Sequence, residues 1–270
     1  METGTNAPTG TAGAAPDKGG RRSGGERVVV LDTLRGAALL YMLFFHTLFD
    51  LAAMFGVKWS VPVYIFHNEH IVIYDTASFV FMAGMTVLFS RNPAQHGARL
   101  LCIAAVFPIV TAFFFEGSAI YFGVLHLIAC GMLVYAVIRK FSDRIPGWAG
   151  AAACALLFAL TFHTTDGYWG LGHKLSVDVP SALTANSLMY PYGFLGGGFS
   201  SADYLPLLPW LFLFLAGCFA GRVFRRPDLP RLCYKDLCPP LSWLGRHSLI
   251  IYIVHQPVIY GLLYLFLSGR

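Results

Sequence analysis

The sequence predicts an all-α fold, a polytopic membrane helix bundle of about seven transmembrane helices. Of its 270 residues, 56% are hydrophobic and only 12% are charged, and the mean hydropathy is +0.61. A soluble globular domain carries about 25% charged residues, so this composition excludes the soluble class. Apolar runs long enough to cross a bilayer recur along the chain, and basic residues cluster in alternate connections between them.

The chain divides into a polar tail and one membrane domain. Residues 1–27 are rich in Gly, Ala, Thr, Pro and Ser and hold few large apolar side chains, which predicts a disordered cytoplasmic tail. Residues 28–270 form the predicted transmembrane domain, with loops expected at residues 56–71 and 163–203. The predicted spans are Gly36–Phe55, Val72–Phe89, Leu100–Phe115, Ile120–Ile138, Trp148–Phe162, Tyr204–Val223 and His247–Leu267.

The distribution of Lys and Arg predicts the orientation. With the N-terminus in the cytoplasm and the C-terminus outside, nearly all basic loop residues fall on the cytoplasmic side. Lys58, Lys174 and Arg270 fall on the other side. The net charge of +5 therefore records membrane orientation and gives no reason to expect a nucleic-acid partner.

The first span contains the ionisable residues that point to chemistry. His46 and Asp50 lie in an otherwise apolar run, and their spacing of four places both side chains on one helix face. Two such groups are costly in hydrocarbon unless they meet water or polar partners, so this face is expected to point into the bundle. The pair is either part of an active site or a structural contact, made to neighbouring helices or within the pair itself.

Five sequence blocks carry a family resemblance. In chain order they are LDTLRG, FHTLFDL, FGVLHLIA, DYLPLLPWLFLFLAG and GRHSLIIYIVHQP. They resemble the bacterial branch of the heparan-alpha-glucosaminide N-acetyltransferase catalytic-domain family, within the transmembrane acyltransferases. The resemblance implies a protein of the bacterial inner membrane that takes an acyl group from cytoplasmic acetyl-CoA or another acyl-CoA. It also implies delivery to a sugar-type acceptor, a glycan or glycolipid, at the outer face.

His46 is the preferred catalytic residue, with Asp50 or another acid fixing its tautomer. It follows an Arg by eleven residues, a spacing similar to that of more distant acyltransferases, and would act as general base or accept the acyl group. In the animal enzymes the reactive His lies in the loop after the first conserved helix, which corresponds here to His67 or His70. An extended coenzyme A arm of about 15–20 Å reaches the depth of His46, whereas His67 is expected beyond the far end of the helix.

Coenzyme A is expected at the cytoplasmic mouth of the first span. The planar guanidinium of Arg35 suits a phosphate or diphosphate, and Asp32 precedes it by about one turn. Arg246, in the last of the five blocks, is grouped with them as a cofactor-binding candidate. The alternative for Arg35 is a salt bridge with Asp32 at the membrane boundary.

Polar side chains gather near the outer ends of the predicted spans. Such a group suits a polar acceptor, and the alternative is a belt of polar residues at the membrane interface. His126 lies inside its span and is placed with the catalytic candidates. His255 precedes Pro257, which frees a backbone carbonyl, so a structural kink and a site are both open. The acceptor-binding candidates are His70, Asp75, Glu116, Asp203 and His255.

Two other membrane classes stay open. A transporter or channel for a small polar solute would use the intramembrane His and Asp residues as a relay, but the sequence shows no inverted repeat. A receptor-like protein built on retinal needs a lysine in its last span, and residues 245–268 contain none. Membrane lipid, acyl-CoA and the acceptor are the expected partners, a homodimer is left open, and no metal or nucleic acid is expected.

Overall fold

A computed structural model describes Met1 and residues 27–114, 119–196, 198–201, 203–226 and 228–267. Almost all regular structure in these ranges is helical, which confirms the predicted helical membrane bundle. Residues 2–26, most of the predicted tail, lie outside the described residues. The helices are α1 (Val29–Phe49), α2 (Ser60–His70), α3 (Val72–Val87), α4 (Pro93–Ala104), α5 (Val106–Phe114), α6 (Val124–Ser142), α7 (Gly147–Thr161), α8 (Ser181–Thr184), α9 (Leu207–Ala220), α10 (Pro239–Arg246) and α11 (Ser248–Leu267).

The described part of the chain contains six helical stretches long and apolar enough to cross a membrane. A seventh is reached when α2 and α3 count as one span bent by 52°, because α3 alone has 16 residues, about 24 Å of helix. The predicted count of about seven is therefore confirmed. The six are Val29–Met54, Pro93–Phe113, Val124–Ser142, Gly147–Asp166, Leu207–Arg225 and Ser248–Leu267.

The loop predicted at residues 56–71 is wrong, because most of this segment is the helix α2. It folds back along α1, which places the Tyr64 ring 5.7 Å from the rings of both Phe45 and Phe49. Further along, the His67 ring lies 5.4 Å from that of Phe44. Polar residues near the end of α2 suggested an aqueous loop, but its aromatic side chains pack against α1.

Two other predicted connections are also partly ordered. The long connection before α9 contains a two-stranded antiparallel hairpin of β1 (Tyr168–Gly170) and β2 (Ser176–Asp178), followed by α8. The connection before the last span contains α10, which begins with two prolines, a residue type that fits the first turn of a helix. The last span itself begins at Ser248, one residue after the prediction.

Close crossings between glycines and backbone hold the bundle together. A Cβ atom on Gly84 of α3 would lie 1.9 Å from the Phe214 carbonyl oxygen of α9, and one on Gly217 would lie 2.1 Å from that of Phe81. Small residues let helix backbones approach closely in membranes, where packing replaces the hydrophobic driving force. The crossing of α3 with α9 therefore fixes α3 at the centre of the bundle.

A second close crossing joins α1 to α10. A Cβ on Gly36 would lie 1.8 Å from the Leu241 carbonyl oxygen, and one on Gly245 would lie 1.8 Å from the Asp32 carbonyl oxygen. Both positions therefore accept only glycine without a shift of the backbone. This crossing lies near the start of α1.

The spans alternate in direction and form two ends. Leu205 N–H donates to Phe122 O at 2.9 Å, which joins the starts of α9 and α6, and Arg222 donates to Ile145 O at 2.7 Å, which joins the end of α9 to the start of α7. Lys58 and Lys174 lie at the former end. The latter is named the basic end, and its cations in the described part of the chain include Arg27, Arg35, Arg91, Arg139, Lys140, Arg144, Arg222, Arg225, Arg226, Arg231, Lys235 and Arg246.

We expect Gly36→Ala to destabilise the protein by about 1–3 kcal/mol, because the added methyl group forces α1 and α10 apart. Thermal unfolding in detergent measures the change. Gly261→Ala on α11 is the matched control, since a Cβ there meets nothing within 4 Å. Equal melting temperatures for the two variants would contradict the close crossing.

Candidate active site

A cavity of about 70 Å³ lies between the spans, away from the basic end. A single buried water needs about 10–15 Å³, so the cavity has room for several waters or a small chemical group. Four helices and the segment before α9 contribute to its wall. The lining residues are Met42, His46, Asp75, Thr76, Phe79, Val124, Asp203, Leu205 and Tyr252.

His46 presents one ring nitrogen as a free acceptor. Its Nδ1 lies 3.0 Å from the carbonyl oxygen of Met42, one turn earlier on α1. A carbonyl only accepts hydrogen bonds, so Nδ1 carries the proton and Nε2 carries the lone pair. The backbone therefore fixes the tautomer, a role that the sequence assigned to Asp50.

Asp50 is bonded to a different helix. It is fully buried, and its Oδ1 accepts a hydrogen bond of 2.7 Å from Gln256 Nε2 on α11. Its Oδ2 has no hydrogen-bond partner among the described residues. Asp50 also begins a π-helical turn, Asp50–Met54, and such turns occur frequently at functional sites. The structural alternative, a contact with a neighbouring helix, is thus present beside the cavity.

His255 packs directly against His46. The ring centroids are 4.8 Å apart and the rings are nearly perpendicular. His255 Nδ1 lies 2.6 Å from the Tyr252 carbonyl oxygen, so it donates there and leaves Nε2 as an acceptor. The bonded carbonyl is not the one that Pro257 frees, which belongs to Ile253, four residues before the proline.

Asp203 and Tyr252 form another part of the cavity wall and are bonded to each other. The Tyr252 hydroxyl donates to Asp203 Oδ2 at 3.0 Å, which joins α11 to the segment before α9. A Cβ on Gly123 would lie 2.7 Å from the same carboxylate oxygen, so Asp203 stands against the N-terminus of α6. The positive end of that helix favours a carboxylate at this place.

His126 lies behind this wall. It borders a second, smaller cavity of about 10 Å³, whose lining it shares with Asp203 and Tyr252. Gly123 N–H donates to His126 Nδ1 at 3.4 Å, which leaves the proton on Nε2. His126 thus has the opposite tautomer to His46 and His255. Its Nε2 can donate a hydrogen bond, whereas the Nε2 atoms of His46 and His255 can accept one.

Asp75 lines the main cavity from the first turn of α3. Its carboxylate makes no hydrogen bond within the part of the chain that the structure describes. Thr76 adds a hydroxyl beside it. These side chains supply hydrogen-bonding groups to whatever occupies the cavity.

The remaining outer candidates do not join this site. The His67 ring is stacked at 6.1 Å on that of Tyr41, on a different side of α1 from His46. Because α2 folds back, His67 lies level with Tyr41, so depth in the membrane does not separate His46 from His67. His70 is exposed and bonds only to the Phe66 carbonyl of its own helix, at 3.1 Å. Glu116 lies outside the described residues.

The cofactor-binding candidates lie at the basic end. Asp32 is buried and forms a two-pronged ion pair with Arg27 at 2.5 and 3.0 Å, and the hydrogen bonds of this pair raise the pKa of the Arg27 guanidinium. Arg35 instead donates to the Gly245 carbonyl at 3.5 Å. Arg246 is exposed at the end of α10. The predicted alternative, a salt bridge between Arg35 and Asp32, is therefore not formed.

Sequence reasoning missed three residues of the site. Tyr252 and Gln256 stand within the block GRHSLIIYIVHQP, close to His255 on the same helix. Tyr252 stands three residues before His255 and Gln256 directly follows it, and this closeness to an intramembrane histidine could have marked both as site candidates. Thr76 adjoins Asp75 in the same way.

The comparison with protein families covers the part of the chain that contains these residues. The model of the family described as "Heparan-alpha-glucosaminide N-acetyltransferase, catalytic" matches residues 27–257, which contain every residue of the cavity and the Arg27, Asp32 and Arg35 group. Comparisons with curated proteins and with solved structures return no match. The match covers well over half of the chain, including the first half of its last span. The chain therefore belongs to the heparan-alpha-glucosaminide N-acetyltransferase catalytic-domain family and is a membrane acyltransferase.

Proposed function

We propose that the protein transfers an acetyl or other acyl group from cytoplasmic acyl-CoA to a sugar-type acceptor at the outer face of a bacterial inner membrane. The observation that carries this proposal is the cavity in which His46, Asp75, Asp203 and Tyr252 meet inside an apolar bundle. Intramembrane ionisable residues gathered around a cavity are typical of a substrate site. Membership of the acyltransferase family supports the reaction class.

The donor enters at the basic end. Arg35 precedes His46 by eleven residues, about 16 Å of helix, which suits the extended arm of coenzyme A. Among the described residues Arg35 makes one long hydrogen bond, to Gly245, so most of its five N–H donors can bind phosphate oxygens. Arg246 adds an exposed guanidinium next to Gly245, and the Asp32 carboxylate is bound by Arg27.

The acceptor reaches the cavity from the opposite end. His46 Nε2 removes the proton from the acceptor hydroxyl or amine as that atom attacks the acyl carbon. Asp203, Tyr252, Asp75 and Thr76 orient the acceptor through hydrogen bonds across the cavity. The carbon–sulfur bond breaks and the sulfur of coenzyme A leaves toward the basic end.

The basic end faces the cytoplasm, because cytoplasmic segments of membrane proteins carry an excess of Lys and Arg. A reporter enzyme that is active only outside the cytoplasm is therefore expected to be active when fused after Arg270. The same reporter fused after Arg144, at the basic end, is the matched control and stays inactive. The reverse pattern would invert the assignment of donor and acceptor ends.

Arg35→Ala is expected to weaken acetyl-CoA binding by about 1.5–3 kcal/mol, roughly 10- to 150-fold, through loss of a charged phosphate contact. Calorimetric titration of the purified protein measures the affinity. Arg99→Ala is the control, since Arg99 is an exposed cation on α4, which packs on α6. Wild-type affinity in Arg35→Ala would leave Arg35 with only its contact to α10.

His46→Ala is expected to lower acyl transfer by about 10²–10⁴-fold while acetyl-CoA binding is kept, because a general base acts on the chemical step. Transfer from labelled acetyl-CoA to glucosamine is the assay. His67→Ala, a histidine with the same bond from Nδ1 to its own helix, should retain transfer because it lies on another side of α1. An inactive His67→Ala beside an active His46→Ala would assign the reaction to His67.

A further inference from the structure

We propose that His255 is the proton partner of His46 during acyl transfer, with Asp50 as the counter-charge that Gln256 holds in place. The proposal rests on the proposed function and adds separate roles for four side chains, which lie on α1, on the π-helical turn after it and on α11. Two of these side chains touch through their rings, and the other two through a hydrogen bond.

The two imidazoles are prepared for a proton in the same way. Each donates its Nδ1–H to a backbone carbonyl of its own helix, that of Met42 for His46 and that of Tyr252 for His255. Each therefore keeps an Nε2 lone pair. With ring centroids 4.8 Å apart, two positive charges would repel each other, so the arrangement suits one proton shared between the two rings.

His255 is placed to share this proton and not to bind substrate. Only 8% of its surface is exposed, and it is absent from the wall of the cavity that His46 lines. Its Nε2 is buried and has no hydrogen-bond partner within the described part of the chain. A neutral His46 with its proton on Nδ1 cannot donate a hydrogen bond from Nε2. Once His46 has taken a proton from the sugar-type substrate, its Nε2 can donate, and the lone pair on His255 Nε2 is beside it to receive that proton.

Asp50 supplies the balancing charge. It lies one turn beyond His46, at the start of the π-helical turn that follows α1, and is fully buried. Gln256 binds one carboxylate oxygen, while the other has no partner among the described residues. The Tyr252 ring lies 5.4 Å from that of His255 and its hydroxyl is bonded to Asp203, and Asp75 lines the same cavity as His46. Of these three carboxylates Asp50 is the fully buried one, so we match its charge to the shared proton.

The reaction balances with these groups alone. The acceptor loses a proton to His46 Nε2 as its oxygen or nitrogen bonds to the acyl carbon. The carbon–sulfur bond breaks, and its electron pair leaves with the sulfur as a thiolate. The proton held by the two imidazoles then passes to that thiolate, which gives free coenzyme A and returns both rings to their neutral state.

The test measures proton transfer directly. The ratio of kcat in H2O to kcat in D2O, for transfer from acetyl-CoA to glucosamine, reports the movement of the one proton that the two imidazoles share. In His255→Phe, which keeps a ring of similar size, this ratio should rise, because loss of the proton partner slows proton transfer relative to the other steps. We expect kcat to drop about 10- to 100-fold with KM for acetyl-CoA unchanged, less than for loss of the general base itself.

Two companion variants keep the test decisive. Asp50→Asn keeps an oxygen for the hydrogen bond from Gln256 and loses the charge, so its melting temperature should hold while kcat falls. His96→Phe, an exposed histidine bonded to Ser90 at 2.9 Å, should match the wild type in all measurements. If His255→Phe gives no cooperative melting transition, His255→Asn replaces it with the same expected results.

The outcomes separate the two levels of the proposal. A wild-type kcat and a wild-type ratio of kcat in H2O to kcat in D2O in His255→Phe, with His46→Ala inactive, would overturn the partner role and leave the proposed function intact. A wild type that transfers nothing from acetyl-CoA to glucosamine or any other sugar acceptor would overturn both.

Discussion

The hydrogen bond between Asp50 and Gln256 shows the constraint under which the whole bundle is built. Inside hydrocarbon, water cannot satisfy a polar side chain, so each such group must find a partner within the protein. Asp50 finds one on α11, and the bond places the last helix beside the first. Removing one partner of a buried polar pair costs about 1–3 kcal/mol, and more for a charged group. The histidine pair is thus brought together by a bond one turn away from it.

The convergence of polar residues could be predicted in part. Apolar run length and charge skew are properties of single segments, so the spans followed from the sequence with shifts at their ends. The sequence also identified His46, Asp75 and His255, because an ionisable residue in an apolar run is conspicuous, and Asp203, which directly precedes a predicted span. Which of these residues meet is decided by helix rotation and crossing, and a single sequence does not encode these in a readable pattern.

Other features could not be predicted for identifiable physical reasons. The fold-back of α2 depends on aromatic packing against α1, while its composition is as polar as that of a loop. Tyr252 is an ordinary residue of an apolar helix until Asp203, 49 residues away in sequence, is placed against it. The tautomer of His46 depends on a rotamer that turns Nδ1 toward its own backbone.

The crossing of α1 with α10 has a mechanical consequence. Gly36 and Gly245 bring the two backbones so close that neither helix can slide along the other without a collision. The first turns of α1 and all of α10 therefore behave as one rigid body. A movement that widens the basic end must carry both helices together. The segments that bend during this movement must then be the turn at His247 and the segment between α9 and α10. Because α11 continues directly from that turn, the same movement also changes how α11 lies against the far half of α1.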